Sequence, residues 1–345
     1  MPKKKVIINN SSIVKQTNVE LVRKCMRQVH TATRNEIASM TGLSVATSGN
    51  ILKEMLSRNE VSEYRLEEPN GGRPAHRYEY NKDYIQVACV GIFYEASIKS
   101  IWYTVVNSFG ETIREESSAC ETVTYDIVSD VIKSILAQYP SVRSIVVSIP
   151  GKSWQESIYI CDIEELEGVP LERDLKADYD VRISVEPEID LITLGYSKSH
   201  PELEEKTVVT LLYPKDMYPG AGILIDGKLL RGDHHMAGET SFISGGKPRE
   251  QALSDLSKIE VLEKSILVTS TAIISIVNPS HIALTGKALP PDIKDRIYEK
   301  CRTVIPPVSM PEFEYIPDNF PYYKTGAITM ALHNTTSGLQ LVSSL

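Results

Sequence analysis

Residues 33–61 read T-R-N-E-I-A-S-M-T-G-L-S-V-A-T-S-G-N-I-L-K-E-M-L-S-R-N-E-V, and G-G-R-P-A-H-R follows at 71–77. Thr33 with Glu36 three residues on is a capping-box spacing, so a helix is expected to start there. Gly42 stops it, because a C′ residue adopts left-handed backbone that only glycine takes without cost. Ser44 is suited to cap the next helix, in which Ile51, Leu52, Met55 and Leu56 recur on one face. Two helices joined by a short glycine-containing turn form the helix-turn-helix pattern. Thr47, Ser48 and Asn50 are short polar side chains suited to base edges in a major groove.

Upstream, Thr17 and Glu20 have the spacing of a second capping box, ahead of an apolar stripe of Leu21, Val22, Cys25, Met26 and Val29. Downstream, 61–66 and 77–80 read as two strands around a glycine-rich tip, a wing. Arg73 at the tip is placed to grip phosphate or enter a minor groove. The expected DNA-contacting set is Thr33, Ser44, Thr47, Ser48, Asn50, Lys53, Arg73 and Arg77. Charge divides the chain at the same place: residues 1–80 carry 13 basic and 8 acidic residues, net +5, and the remainder 24 and 37, net −13. A basic head on an acidic body fits nucleic-acid binding by the head alone, with double-stranded DNA as its partner.

Five widely spaced cysteines with no C-x-x-C pair, no apolar run of about 18 residues and no signal-peptide core imply a reduced, cytoplasmic protein. From about residue 82 the pattern is α/β. Three strand-like runs (84–92, 97–106, 112–117) precede a helix with Tyr125, Val128, Ile132 and Ile135 inward, then the buried strand S-I-V-V-S-I-P-G. A similar order returns with strands at 207–213 and 221–225, a long helix at 259–277 and a strand at 281–284, which implies two related lobes around a cleft.

G-A-G-I-L-I-D-G-K-L-L-R-G-D-H-H-M-A-G-E at 220–239 resembles the signature of the ROK family (repressors, open reading frames and sugar kinases). I-P-G at 149–151, E-L-E-G-V-P-L at 165–171, N-P-S-H-I-A-L-T-G at 278–286 and T-G-A-I-T-M-A-L at 325–332 follow in the family's order. With the helix-turn-helix in front, the chain is similar to the family's repressor branch, which includes regulators of xylose and N-acetylglucosamine use. The resemblance implies a two-lobed, actin-like (ribonuclease H-like) α/β body and a homodimer or tetramer. The expected organisation is a flexible basic tail at 1–16, a winged helix-turn-helix at 17–81, and a degenerate ROK domain at 82–345. Lobe 1 is expected at about 82–200 and lobe 2 at about 201–325, with a C-terminal helix returning to lobe 1.

Departures from the family argue against catalysis and against any cofactor. Where its sugar kinases open with a glycine-rich phosphate loop, this chain has G-I-F-Y-E-A-S-I, with Phe93 at the acid and Glu95 at a glycine. The second phosphate loop, D-M-Y-P-G-A-G, has Asp216 and Tyr218 in place of glycines. Pro187 and Glu188 stand where the kinases carry the Asn-Asp pair whose Asp is the general base. Phe242 replaces a zinc-ligand His, and the cysteine-rich loop is missing, so no metal is expected. Glu239 is retained from the sugar-binding set; with Glu188 and His235 it forms the expected effector site for a sugar-like small molecule. Two alternatives stay open: an ATP-dependent sugar kinase with an appended head, and a body that serves only for dimerisation.

Overall fold

The computed structural model describes residues 11–65, 76–95, 97–243 and 245–335. Its head consists of α1 (Ser11–Val29), β1 (Thr31–Thr33), α2 (Arg34–Thr41), α3 (Val45–Ser57), β2 (Val61–Arg65) and β3 (His76–Tyr80). The three strands form one antiparallel sheet in the order β1-β3-β2. The capping box at Thr33 and Glu36 is formed in full, and Gly42 closes α2 with φ 71°. Ser44 caps α3 by accepting from the Thr47 amide at 3.0 Å. Val22, Met26, Ile37, Ile51, Leu52, Met55 and Tyr78 meet in one core beneath the sheet.

The first helix corrects the expected boundary of the basic tail. Its described span is Ser11–Val29, and Thr17 lies inside it, with its hydroxyl donating to the Ile13 carbonyl at 3.0 Å. A hydroxyl that caps a helix start satisfies a carbonyl of the preceding turn equally well, so the T-x-x-E spacing was ambiguous here. The wing tip, with Arg73, and residues 1–10 lie outside the described residues.

The first sheet of the body is built from β4 (Gln86–Glu95), β5 (Ile98–Asn107), β6 (Thr112–Cys120), β7 (Val142–Ile149) and, after the hairpin β8 (Gly151–Trp154) and β9 (Ser157–Cys161), β10 (Arg182–Pro187). Helix α4 (Tyr125–Gln138) links β6 to β7 and α5 (Leu171–Asp178) precedes β10. Helix α6 (Glu188–Ser199) then leads to the second sheet of β11 (Val208–Leu212), β12 (Gly220–Ile225), β13 (Lys228–Leu229), β14 (His281–Thr285) and β15 (Glu312–Ile316). Its helices are α7 (Arg249–Asp255), α8 (Ile259–Val277) and α9 (Ile293–Arg302), and α10 (Phe320–Asn334) follows the last strand.

The sheet orders are β6-β5-β4-β7-β10 and β13-β12-β11-β14-β15. In each, three antiparallel strands are followed by two that pair in parallel, so the repeat expected from the sequence is a repeat of topology. Buried strands such as Val142–Ile149 read as continuous apolar runs because helices cover both faces.

Helices α6 and α10 cross between the lobes. A Cβ on Gly195 would sit 1.8 Å from the Tyr322 carbonyl oxygen, and one on Gly326 would sit 1.9 Å from that of Leu191. Only glycine permits this backbone approach. Ile189, Leu191 and Ile192 of α6 and Tyr323, Ala327 and Ala331 of α10 then share one core with Val87, Cys89 and Val146 of the first sheet. The head rests on the same body: Phe109, from the β5–β6 turn, packs against the head core and stacks on His30 with ring centroids 3.9 Å apart. Arg27 donates to the Thr335 hydroxyl at 3.2 Å.

A methyl group at the crossing has no space to enter. Gly326→Ala is expected to destabilise the protein by about 1–3 kcal/mol, the range for overpacking, read as a lower urea midpoint. An unchanged midpoint would mean that the helices separate freely.

Candidate functional site

The helix-turn-helix face does not present all of its expected residues. Asn50 and Lys53 lie on the exposed side of α3 beside Val45, which is 49% exposed. Ser44 is exposed, and Thr47 is half-buried with its hydroxyl 2.8 Å from that of Ser44. Ser48 is a correction: it is fully buried, with no hydrogen-bond partner for its hydroxyl, and points to the head core rather than to a groove. Helical geometry explains this, since Ser48 leads Leu52 and Met55 by four and seven residues on the same face.

Thr33 serves as a cap. Arg77 donates to Glu36 at 3.1 Å and to the Thr31 carbonyl at 3.3 Å, tying β3 to the start of α2. The early turns of α1 flank α3, which no local signal in the sequence marked. Val14, Lys15 and Asn18 line an open groove with Thr47, Asn50 and Glu54, and Lys15 pairs with Glu54 at 2.8 Å.

The body's cleft has two chambers that share Glu188, Leu212, Pro214 and Met217. The smaller, between the β7–β8 turn and the start of β12, holds about 50 Å³, room for a few waters. Glu188, Glu239, Asp162 and Arg249 line it. Glu239 is occupied internally, accepting from Arg249 at 3.2 Å and from the Ser241 hydroxyl at 2.6 Å. The Arg249 guanidinium lies 3.6 Å from the Tyr218 ring centroid and 5.2 Å from that of Phe242. Phe242, the residue at the expected zinc-ligand position, is therefore a half-exposed wall against an arginine. The Arg249–Glu239 pair was not foreseen, because Arg249 sits in a loop-like K-P-R-E stretch with no spacing to mark it.

His235 does not join this chamber. Its Nδ1 is 2.9 Å from the Ser153 carbonyl, near the buried Asp190, which faces Lys152 at 4.0 Å. The neighbouring His234 packs its ring against Trp154.

Burial dominates the electrostatics. It pushes the Glu188 carboxyl up to about 7, helped by the nearby carboxylates of Asp162 and Glu95. Burial likewise raises Asp162 to about 7, with the Arg249 charge opposing it. Glu186 rises to about 7 for the same reason, against the pull of Arg231 at 2.7 Å. Among the described residues Glu188 has no hydrogen-bond or ion-pair partner.

The larger chamber, about 550 Å³, is lined by Phe93 and Glu95, positions at which the family resemblance implies a phosphate loop. The residues present do not fit a nucleotide. The Phe93 ring packs on Tyr323 (5.0 Å) and Phe320 (6.3 Å), and Glu95 reaches across the cleft to Lys287 at 2.5 Å. Glu115 and Glu116 are paired with Lys324 and Arg114, whereas Glu188 and Asp318 have no ion-pair partner among the described residues and leave negative charge that phosphate would have to approach. Among the described residues no group of three or more His, Cys, Asp or Glu side chains could hold a metal ion. No described helix is long and apolar enough to cross a membrane.

The sign of the Glu188 shift gives a test. With its pKa raised from 4.5 to about 7, the folded state holds a proton that the unfolded chain releases as pH rises through that window. The group therefore costs stability as pH climbs, fully so above about 7. Glu188→Gln is expected to raise stability at pH 8 by roughly 1–3 kcal/mol and to leave it nearly unchanged at pH 4, below the unfolded value. Equal effects at both pH values in chemical denaturation would contradict the assignment.

A model of the ROK family matches residues 96–245. The xylose repressor of Caldicellulosiruptor bescii is 25% identical over 244 residues, an alignment that covers 67% of this chain and 59% of that protein. The chain thus spans about three-fifths of the length of this curated relative. Among solved structures, a ROK family transcriptional regulator described as a homolog of the E. coli MLC protein aligns with TM-score 0.70 and 16% identity, over 94% of this chain and 98% of that one. The ROK hexokinase of Thermus thermophilus aligns with TM-score 0.54 and 11% identity, over 72% of this chain and 99% of its own. The regulator's alignment takes in the head and the hexokinase's is confined to a smaller share. Residues 96–245, which carry the match to the ROK family, lie in a two-lobed body that follows an N-terminal helix-turn-helix head.

Proposed function

We propose that the chain is a sequence-specific DNA-binding transcriptional regulator, a repressor of carbohydrate-related genes, acting as a homodimer with a non-catalytic ROK body. The observation that carries this is the capped α3, with Asn50 and Lys53 exposed on a head whose first 80 residues have net charge +5. The similarity to a xylose repressor supports the carbohydrate link. In this reading α3 enters the major groove with Ser44, Thr47 and Asn50 nearest the bases, while Lys53 and Arg73 contact phosphates and Thr33 and Arg77 hold the start of α2. Glu188, Glu239 and His235 belong to the effector region; a sugar reaching Glu239 would have to displace Arg249.

Promoter fragments selected from genomic DNA by the full chain provide the test. Asn50→Ala is expected to cost about 1–3 kcal/mol at one base position and relax specificity there. Arg73→Ala is expected to weaken binding to all duplexes alike and to reduce the salt slope by about one. A full chain that recovers no fragment, or binds without salt dependence, would overturn the reading.

The structural likeness to a ROK hexokinase is the observation favouring a sugar kinase. Fold alone is weak support, because chemistry lives in sites, and here Phe93, Glu95 and Pro187 occupy the positions that chemistry needs. A coupled assay over hexoses and amino sugars with Mg²⁺ and ATP is expected to give no turnover. A kcat in the usual enzyme range, about 1–1000 s⁻¹, would establish the kinase instead.

A further inference from the structure

We propose that the larger interlobe chamber is a binding site for an organic cation, an amine carried on a planar or apolar body. The proposal extends the reading of the body as an effector domain by giving the class of ligand and moving it out of the small sugar chamber. A volume of about 550 Å³ lies inside the range of small-molecule sites, whereas the 50 Å³ beside Glu239 does not.

Three features point to the ligand's chemistry. The first is the aromatic wall: Phe93, Trp102, Phe320 and Tyr323 pack edge-to-face or tilted with centroids 5.0–6.3 Å apart. Trp102 and Tyr323 are buried behind it, while Phe320 is 37% exposed and Phe93 half-buried. Ring faces of this kind attract a cation and stack on a planar body.

The second is the charge balance. Glu95 is neutralised by Lys287, Glu115 by Lys324 and Glu116 by Arg114, and Asp318 accepts from the Phe320 amide at 3.1 Å. Glu188 alone among these carboxylates has no such partner in the described residues, and it stands on the partition between the chambers. Glu188 is half-buried, and a carboxylate partly withdrawn from water with no counter-charge gains from a cation that enters with its ligand. The third is exclusion: Glu188 and Asp318, which have no ion-pair partner among the described residues, leave uncompensated negative charge in the wall, and this disfavours an anionic ligand such as a nucleotide.

Calorimetry on the full chain at pH 8 with three probes of one shape tests this: tryptamine (cationic), tryptophol (neutral) and indole-3-propionate (anionic). Tryptamine is expected to bind saturably, at least tenfold tighter than tryptophol, with indole-3-propionate and MgATP weaker still. Glu188→Gln should bring tryptamine down to the affinity of tryptophol, and Phe320→Ala should weaken both alike. Unchanged melting behaviour of Phe320→Ala and intact folding of Glu188→Gln by circular dichroism separate these losses from misfolding. No saturable tryptamine binding, equal affinity across the three charges, or tryptamine binding indifferent to Glu188→Gln would each overturn the proposal. None of these measurements involves DNA, so failure of the regulator reading and failure of this site would be seen separately.

Discussion

The close crossing of α6 and α10 is the constraint on which the arrangement of the body rests. Gly195 and Gly326 bring two helix backbones to a separation that any side chain would prevent. Helix α6 begins at Glu188, so its seating sets where that carboxylate enters the cleft. Helix α10 begins at Phe320, in the aromatic wall, and is followed by Thr335, which accepts from Arg27 of the head. Its 15 residues rise about 22 Å, which makes one rigid element common to the cleft and to the head contact. A ligand that favours one position of α10 has, in this geometry, a direct mechanical route to the head, provided it binds that position better than others.

The head is held from two sides. Phe109 enters its apolar core from the body, and Arg27 reaches back to Thr335. Inside the head, Arg23 and Tyr80 both engage the buried Glu60. An ion pair of this kind costs desolvation but makes separation of its partners expensive, so α1 and the β-sheet of the head move as one piece. Where the family resemblance implies glycine cradles and a general base, the body carries rings and carboxylates. Phe93 fills space beside α10, and Arg249 stacks on Tyr218 while neutralising Glu239. These contacts fill parts of the cleft with the protein's own groups.

Local signals carried most of the architecture. The Thr33 capping box, the Gly42 stop, the Ser44 cap and the span of α8 were legible because each depends on neighbours three or four residues away. The twofold strand-helix order was legible for the same reason. Thr17 misled, because a threonine hydroxyl serves a cap and a helix interior with equal ease. Ser48 misled because a polar residue was assigned to the outer face by type, while its position on the Leu52–Met55 side put it inside. At the cleft, Glu188 and Glu239 were found through the family resemblance, but neither the Arg249 partner of Glu239 nor, among the described residues, the lack of one at Glu188 was legible. Arg249 lies ten residues from Glu239, Lys287 lies 192 from Glu95, and Phe109 lies 79 from His30. Only folding brings such pairs together, and no periodicity records them.

The most direct measurement of the account is a hydroxyl-radical footprint of the full chain on a genomic fragment that it selects. The account predicts protection of two symmetric half-sites spaced by whole helical turns, about 10–10.5 base pairs or a multiple, with major-groove contact at the centre of each. That protection should fade steeply as salt is raised, as phosphate contacts require. Uniform protection without half-sites, or none on any fragment, would contradict a sequence-reading head carried by this body.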